Sequence, residues 1–143
     1  MKPKVYIASP FFSPKQLEIV ERIENHLSKQ GIHYFSPRAE GVLDEMCPDE
    51  KMSQRKRIYE GNLNAMDSCT HMVAVLGDRD TGTIFEVGYF AKSSKPCVQY
   101  YEDLSKVSVM LSEGAFAITS SISKICDALD GYHNEYDQIG DTQ

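Results

Sequence analysis

Residues 71–90 read HMVAVLGDRDTGTIFEVGYF, and this stretch predicts a buried β-strand that leads directly into an α-helix. HMVAVLG (71–77) is an apolar run, which is typical of a strand covered on both faces. The helix is predicted from Gly82 to about Lys92, and almost all of its first side chains are apolar. A strand of this kind followed at once by a helix indicates an α/β protein with a parallel sheet.

The same alternation continues on both sides of this unit. Further strands are predicted at KVYIA (4–8), IHYF (32–35), PCVQYY (96–101) and AFAIT (115–119). The first helix is expected to begin at a capping box, with Ser13 as the N-cap and Gln16 as its partner, and to end at Gly31. Further helices are predicted over residues 53–68, 104–112 and 121–130.

We therefore predict a single α/β domain over residues 1–130, with a doubly wound, parallel, five-stranded sheet of the Rossmann-like or flavodoxin-like type. The polar and irregular residues 36–52 predict a long loop or lid. Residues 131–143, GYHNEYDQIGDTQ, carry no core pattern, and we expect a polar C-terminal tail that is mobile or draped over a neighbour.

The composition, with 41% hydrophobic and 25% charged residues, is that of a soluble globular protein. Its net charge of −6 argues against a general affinity for nucleic acid or anionic membranes, but it leaves room for a small anionic ligand in a local site. The N-terminus MKPKVYIASPFF lacks the apolar length of a signal peptide. The four cysteines, at 47, 69, 97 and 126, have no CxxC or zinc-like spacing, so we expect reduced thiols in a cytoplasmic protein.

Ligands of a doubly wound sheet bind at the carboxyl ends of the strands, near the point where the strand order reverses. This rule brings together the loops at residues 9–12, 37–40 and 78–82, and Glu86 lies just beyond the last of them. A helical glutamate is ordinarily solvated, but this helix is expected to be buried, where an unpaired carboxylate is costly and its pKa rises. Because the helix N-terminus offsets part of that cost, Glu86 is a candidate nucleophile toward an electrophilic carbon.

Four segments carry a family resemblance, in this order: VYIASPFF (5–12), YFSPR (34–38), NLNAMDSC (62–69) and DTGTIFEVGY (80–89). With them the chain resembles the nucleoside 2-deoxyribosyltransferase family over residues 4–112, and the DTGTxxExG pattern after a buried strand is the most specific piece. The resemblance implies a flavodoxin-type sheet. It also implies cleavage of the N-glycosidic bond of 2′-deoxynucleosides without a metal or an organic cofactor.

The resemblance implies three catalytic residues. Glu86 matches the nucleophile that attacks C1′ and forms a covalent deoxyribosyl-enzyme, as in a retaining glycosidase. Tyr6 matches a tyrosine that orients this nucleophile and helps to select against a 2′-hydroxyl, although a core tyrosine is an alternative. Asp80 matches an acid that assists proton transfer to the departing base, and a helix N-cap is the other interpretation of this residue.

The resemblance also implies contacts with the substrate. Phe11 and Phe12 match aromatic positions that line the base pocket, although core packing would also account for them. Arg38 and Glu40 match positions where the family contacts the edge of the base. Further contacts are expected from the loops after the strands, at Ser9 and Gly82.

Two positions depart from the transferase pattern. Asn62 stands where many members have an aspartate that contacts the sugar or shuttles a proton, and an amide cannot act as a general acid near neutral pH. Ser108 stands where the transferases tend to have an asparagine for the sugar 5′-hydroxyl. The related branch that hydrolyses deoxynucleoside 5′-monophosphates has a phosphate-binding serine at this position.

We expect a deoxyribosyltransferase, because SPFFS (9–13) resembles the aromatic loop of the transferases more than a phosphate cradle. An N-hydrolase of 2′-deoxynucleoside 5′-monophosphates is the alternative. A non-catalytic nucleotide-binding module is a third interpretation, favoured only by the loss of an acid at Asn62. The expected partners are a small nucleoside or nucleotide and a free base, and the family implies a homo-oligomer whose sites are completed by a neighbour.

Overall fold

The computed structural model of the chain describes residues 2–40 and 48–140. Within these ranges the strands are β1 (Lys4–Ala8), β2 (His33–Phe35), β3 (His71–Leu76), β4 (Cys97–Tyr101) and β5 (Ala117–Thr119). The α-helices are α1 (Pro14–Lys29), α2 (Pro48–Ser68), α3 (Thr81–Lys92), α4 (Val109–Ser112) and α5 (Ile125–Leu129). Short 3₁₀ helices lie at Pro37–Glu40, Leu104–Lys106, Ile122–Lys124 and Tyr136–Gln138.

The strands form one parallel five-stranded sheet in the order β2-β1-β3-β4-β5. The chain moves outward from β1 to β2 and then returns past β1 to β3, so the direction of winding reverses between β1 and β3. The predicted fold class, a doubly wound α/β sheet, is confirmed. Because Ala8 pairs with Ala74, the carboxyl ends of β1 and β3 lie side by side at this switch point.

Alternate side chains of each strand face opposite layers of the protein. On β1, Val5 and Ile7 pack with residues of α1 and α5, whereas Tyr6 and Ala8 face the layer that α2 and α3 cover. All four side chains are almost completely buried, which explains why β1 is apolar after Lys4. This arrangement places α2 and α3 on the same side of the sheet as Tyr6.

Helix α1 has the predicted ends. Ser13 Oγ accepts a hydrogen bond from the backbone N–H of Gln16 at 3.1 Å, and Gln16 Oε1 accepts one from the N–H of Ser13 at 3.1 Å. Pro14 occupies the first turn, where its missing N–H costs no helical hydrogen bond. After the helix, Gly31 has φ +71°, a conformation that glycine adopts without strain.

Helix α2 is longer than predicted. It begins at Pro48 instead of residue 53, so the predicted loop or lid over residues 36–52 is in part a 3₁₀ helix and in part the first turn of α2. Residues 41–47 of that prediction lie outside the described residues. The sequence did not indicate the early start because the first turns of α2 are polar and carry no apolar periodicity.

The prediction that α3 is buried is wrong for half of the helix. Thr83, Val87 and Phe90 are buried and lie on one helical face, in accord with their spacing. Phe85 is 51% exposed and Ile84 is 36% exposed. Glu86 therefore lies at the boundary between the packed and open faces of α3.

The segment after α5 is held against the end of β5 in the same chain. The carboxylate of Glu135 accepts hydrogen bonds from Thr119 Oγ1 at 2.9 Å and from the backbone N–H of Ser120 at 2.6 Å, and His133 Nε2 lies 3.1 Å from it. Burial would raise the pKa of Glu135, but these hydrogen bonds lower it to about 2. Polar contacts therefore attach residues 133–135 to the same chain, and Tyr136 and Ile139 pack against its core. The division of the chain into a domain and a tail at residue 130 stays a prediction.

Three of the cysteines lie within the described residues, and all three are free in the structure: Cys69, Cys97 and Cys126. Cys47 lies outside the described residues. No helix within residues 2–40 and 48–140 is long and apolar enough to cross a membrane.

Candidate active site

A cavity of about 810 Å³ opens at the carboxyl ends of β1 and β3. The loop after β1 lines it with Ser9, Phe11 and Phe12, and α2 and the start of α3 form further walls. The cavity thus lies where the doubly wound topology predicts a ligand. Among the described residues, no group of three or more His, Cys, Asp or Glu side chains is placed to hold a metal ion.

Tyr6 and Glu86 are joined directly in this site. The Tyr6 hydroxyl donates a hydrogen bond to Oε2 of Glu86, between residues 80 positions apart in the sequence. The ring of Tyr6 is fully buried and stacks on Phe35 of β2, with ring centroids 5.5 Å apart. Burial, and then the charge of Glu86, raise the pKa of Tyr6 far above its ordinary value, so the hydroxyl remains a proton donor.

The carboxyl group of Glu86 has a strongly raised pKa. Its pKa is about 7 instead of 4.5, because burial raises it more than the hydrogen bond from Tyr6 lowers it, and the charge of Asp80 raises it as well. The protonated and ionised forms are therefore near balance at pH 7, in the direction that burial predicts for a carboxyl group. Oε1, the oxygen that Tyr6 does not bind, has no hydrogen-bond partner within the described residues.

Asp80 is the N-cap of α3. Its Oδ2 accepts hydrogen bonds from the backbone N–H of Thr83 at 2.9 Å and from Thr83 Oγ1 at 2.8 Å. Asp80 also lines the cavity together with Glu86. The N-cap interpretation is confirmed, and the second oxygen, Oδ1, makes no hydrogen bond to the described part of the chain. Proton transfer by Asp80 stays a prediction.

Asn62 brings an amide to the cavity from α2. Its Oδ1 is buried and has no hydrogen-bond partner within residues 2–40 and 48–140. A buried polar atom without a partner costs free energy, so this amide is suited to a hydrogen bond with a polar group of a ligand.

The sequence prediction missed most of the α2 wall. The cavity-lining residues that it did not single out on this helix are Arg55, Lys56, Ile58, Tyr59, Leu63 and Met66. Residues 55, 59, 62 and 66 follow one another at intervals of three or four and so share one face of the helix. This stripe mixes a cation, an aromatic ring, an amide and a buried methionine, and it was the available signal for the wall.

The sequence profile of the nucleoside 2-deoxyribosyltransferase family matches residues 5–138. The chain belongs to this family. The resemblance seen in the four sequence segments is thereby confirmed. A comparison with curated protein sequences gives no significant match.

Solved structures share the fold of this nucleoside 2-deoxyribosyltransferase family chain. A 2-deoxyribosyltransferase from Bacillus psychrosaccharolyticus superposes with a TM-score of 0.76 at 23% identity, over 97% of both chains. A conserved protein from Enterococcus faecalis superposes with a TM-score of 0.65 at 16% identity, over 93% of this chain and 100% of that one. A CMP N-glycosidase from Clostridium botulinum superposes with a TM-score of 0.53 at 17% identity, over 90% of this chain and 99% of that one.

Arg38 is not at the cavity of this deoxyribosyltransferase family member, although the sequence predicted a contact with the base there. Its Nε donates to Glu24 Oε2 at 2.8 Å and its Nη2 lies 2.5 Å from Glu24 Oε1, a two-pronged ion pair with α1. Glu24 is 6% exposed. Burial would raise the pKa of Glu24, but hydrogen bonds from Arg38 and Ser36 lower it. The physical reason for the misplacement is that this buried carboxylate requires a cation.

We expect Arg38→Met to destabilise the fold by about 2 kcal/mol, less than the roughly 3–5 kcal/mol of a fully buried pair because water screens the partly exposed Arg38. Thermal unfolding should show a Tm lower by about 5–10 °C. Glu24→Gln combined with Arg38→Met should recover most of the loss. An unchanged Tm together with a much weaker affinity for the base would return Arg38 to the binding site.

Ser108 does not line the cavity of its own chain in this family member. It is the N-cap position of α4 and its side chain makes no capping hydrogen bond.

The side chain of Glu40, which like Arg38 was expected to contact the base, lies outside the described residues. Gly82 lines the cavity, and a Cβ built there would lie 3.5 Å from Asp80 Oδ2, so the backbone does not require a glycine at this position.

Proposed function

We propose that the chain cleaves the N-glycosidic bond of 2′-deoxynucleosides and transfers the deoxyribosyl group to a second nucleobase. One observation carries the proposal: a partly buried carboxylate, Glu86, is held by a buried tyrosine hydroxyl at a cavity large enough for a nucleoside. The family supports chemistry at the glycosidic bond, and the transferase of the same fold supports transfer.

In the first half of the proposed reaction, Glu86 Oε1 attacks C1′ while Tyr6 holds Oε2. The C1′–N bond breaks, its electron pair leaves with the base, and the base takes up a proton relayed by Asp80. In the second half, a ring nitrogen of the incoming base attacks C1′ and the C1′–O bond breaks. Glu86 regains its carboxylate, and the proton of that nitrogen returns through Asp80.

The walls of the cavity suit a flat heterocycle. Phe11 and Phe12 lie with ring centroids 4.7 Å apart, and both line the cavity together with Tyr59 and Phe85. Flat bases stack on aromatic rings without a need for hydrogen-bond readout. We propose that Ser9, Asn62 and Gly82 complete the substrate contacts.

The alternative, N-hydrolysis of deoxynucleoside 5′-monophosphates, is favoured by Arg55. This arginine lines the cavity and has no ion pair within the described residues, so it is a possible partner for a phosphate. Against it stand the charges of Asp80 and Glu86 in the same cavity, which repel a dianion.

The deciding experiment is product analysis by chromatography. The chain is incubated with deoxyadenosine, deoxycytidine and their 5′-monophosphates, each with and without free adenine. We expect exchange of bases between deoxynucleosides, and slower use of the monophosphates. Free sugar phosphate without exchange, at a rate that Arg55→Gln lowers tenfold or more, would establish the hydrolase; no free base at all would leave a binding module.

The pH dependence of kcat/KM gives a second test of the mechanism. Glu86 must be ionised to attack, so activity should rise with pH through about 7. Tyr6→Phe removes a hydrogen bond that lowers the pKa of Glu86, so it should move the ascending limb of the pH profile to higher pH. Asp80→Asn removes a charge that raises the same pKa and keeps an N-cap, so it should move the limb to lower pH. Shifts in the same direction for both variants would contradict the assignment of the limb to Glu86.

We also propose that the protein is cytoplasmic and assembles as a homo-oligomer in which a neighbour brings Ser108 to the cavity. The residues after Ser108 support this, because Val109 is 46% exposed and Met110 is 87% exposed. Such apolar exposure beside a predicted substrate contact fits a subunit interface. Sedimentation velocity measures the assembly directly, and a monomer at assay concentration would exclude it.

A further inference from the structure

Two loops of the cavity wall are connected by a single side chain. The aromatic loop (residues 9–13) carries Phe11 and Phe12, and the capping loop (residues 77–80) ends at Asp80. The start of the aromatic loop is packed, since Ser9 and Pro10 are buried, but Phe12 at its tip is 74% exposed. The packing of Phe12 therefore does little to hold the tip, and hydrogen bonds of the backbone there matter more.

Those hydrogen bonds converge on the side-chain amide of Gln16. Its Oε1 accepts from the backbone N–H groups of Phe12 at 2.9 Å and Ser13 at 3.1 Å. Its Nε2 donates to Asp78 Oδ2 in the capping loop at 3.0 Å. One amide thus ties the aromatic loop to the loop that presents Asp80.

The capping loop has an unusual backbone on both sides of Asp78. Gly77 has φ +111° and Arg79 has φ +56°, a conformation that costs a non-glycine residue free energy and persists only where the surroundings hold it. The contact with Gln16 is made by the residue between these two. It therefore restrains the loop at the point where its path to Asp80 is set.

A capping box accepts either Gln or Glu as the partner of its serine. Both provide an oxygen for the N-cap N–H, but only Gln also has an N–H to donate to a carboxylate. Building on the proposed function, we propose that Gln16 is a positioning residue that holds the aromatic loop against the capping loop and so sets the affinity for the base, without a part in the chemical step.

The test replaces Gln16 with glutamate. Gln16→Glu keeps the oxygen that accepts from the N–H groups of Phe12 and Ser13. It loses the N–H that donates to Asp78 and places a second carboxylate opposite that of Asp78. We expect KM for the nucleoside to rise about tenfold while kcat changes by less than twofold. Hydrogen exchange followed by mass spectrometry should show residues 9–13 and 77–80 exchanging about tenfold faster.

Asp78→Asn supplies the matched rescue. In the double variant Gln16→Glu/Asp78→Asn, the new amide at 78 can donate to the carboxylate at 16, so KM and both exchange rates should return to within twofold of wild type. Gln138→Glu adds the same charge at an exposed site outside both loops and should change neither quantity.

Any of three results would overturn the positioning role of Gln16. These are an unchanged KM with unchanged exchange in Gln16→Glu, a loss confined to kcat, and a double variant whose KM and exchange rates do not return toward wild type. If wild type turns over no nucleoside, the proposed function fails. The exchange rates of the single and double variants then show by themselves whether Gln16 holds the two loops together.

Discussion

Glu86→Gln is expected to lower turnover by on the order of 10³-fold or more. The amide has nearly the same shape and can still accept the hydrogen bond from Tyr6, but it is a far poorer nucleophile toward C1′. Initial rates of base exchange measure the loss, and circular dichroism checks that the fold is intact. Glu18→Gln, the same change at an exposed position on α1, is the matched control and should retain full activity.

A rate within tenfold of wild type in Glu86→Gln would remove the nucleophile assignment. It would leave the cavity as a binding site whose chemistry, if any, lies elsewhere. An equal loss in Glu18→Gln would point to a general effect of the preparation instead of to Glu86.

The same variant is expected to be more stable than wild type above pH 7. The folded chain holds a proton on Glu86 up to about pH 7, whereas the unfolded chain releases it near the ordinary pKa of 4.5. The contribution of this group to stability is thus fully present below 4.5 and is lost as pH rises through 7. At pH 8 an ionised, partly buried carboxylate remains, and its replacement by a neutral amide should stabilise the fold by up to about 3 kcal/mol.

Urea unfolding at pH 5 and pH 8 measures this effect. We expect the difference between Glu86→Gln and wild type to be small at pH 5 and large at pH 8, and the difference for Glu18→Gln to be small at both. A Glu86→Gln variant that is less stable than wild type at pH 8 would show that the carboxylate is not strained in the fold. The trade of stability for reactivity is common at catalytic sites.

The sheet was predictable because both of its faces are covered. After His71, each residue of HMVAVL packs against one layer or the other, so these five positions are apolar and the strand is distinct from its surroundings. The start of α1 was equally predictable from the sequence, because the side chains of Ser13 and Gln16 each accept a hydrogen bond from the backbone N–H of the other. Helix α2 was cut short in the prediction because its first residues are mostly polar and carry no apolar periodicity.

The place of the cavity was predictable, but the pairs of side chains around it were not. The topology aligns the ends of β1 and β3, and so brings together the loop that begins at Ser9, the loop that ends at Asp80 and the start of α3 with Glu86. Tyr6 was expected beside Glu86 only from the family resemblance. The Arg38–Glu24 pair was not expected, because nothing in the local sequence marks Glu24 as buried. Arg55 and Tyr59 became visible as cavity residues only when α2 was placed beside α3.

The most direct measurement of the central claim is the trapping of the covalent intermediate. The chain is incubated with a 2-fluoro-2-deoxy nucleoside, whose fluorine slows the second displacement, and the digested protein is analysed by mass spectrometry. We expect one fluorosugar on the peptide that contains Glu86, and none in Glu86→Gln. Turnover of deoxynucleosides with no adduct, or with an adduct on another residue, would contradict the central claim.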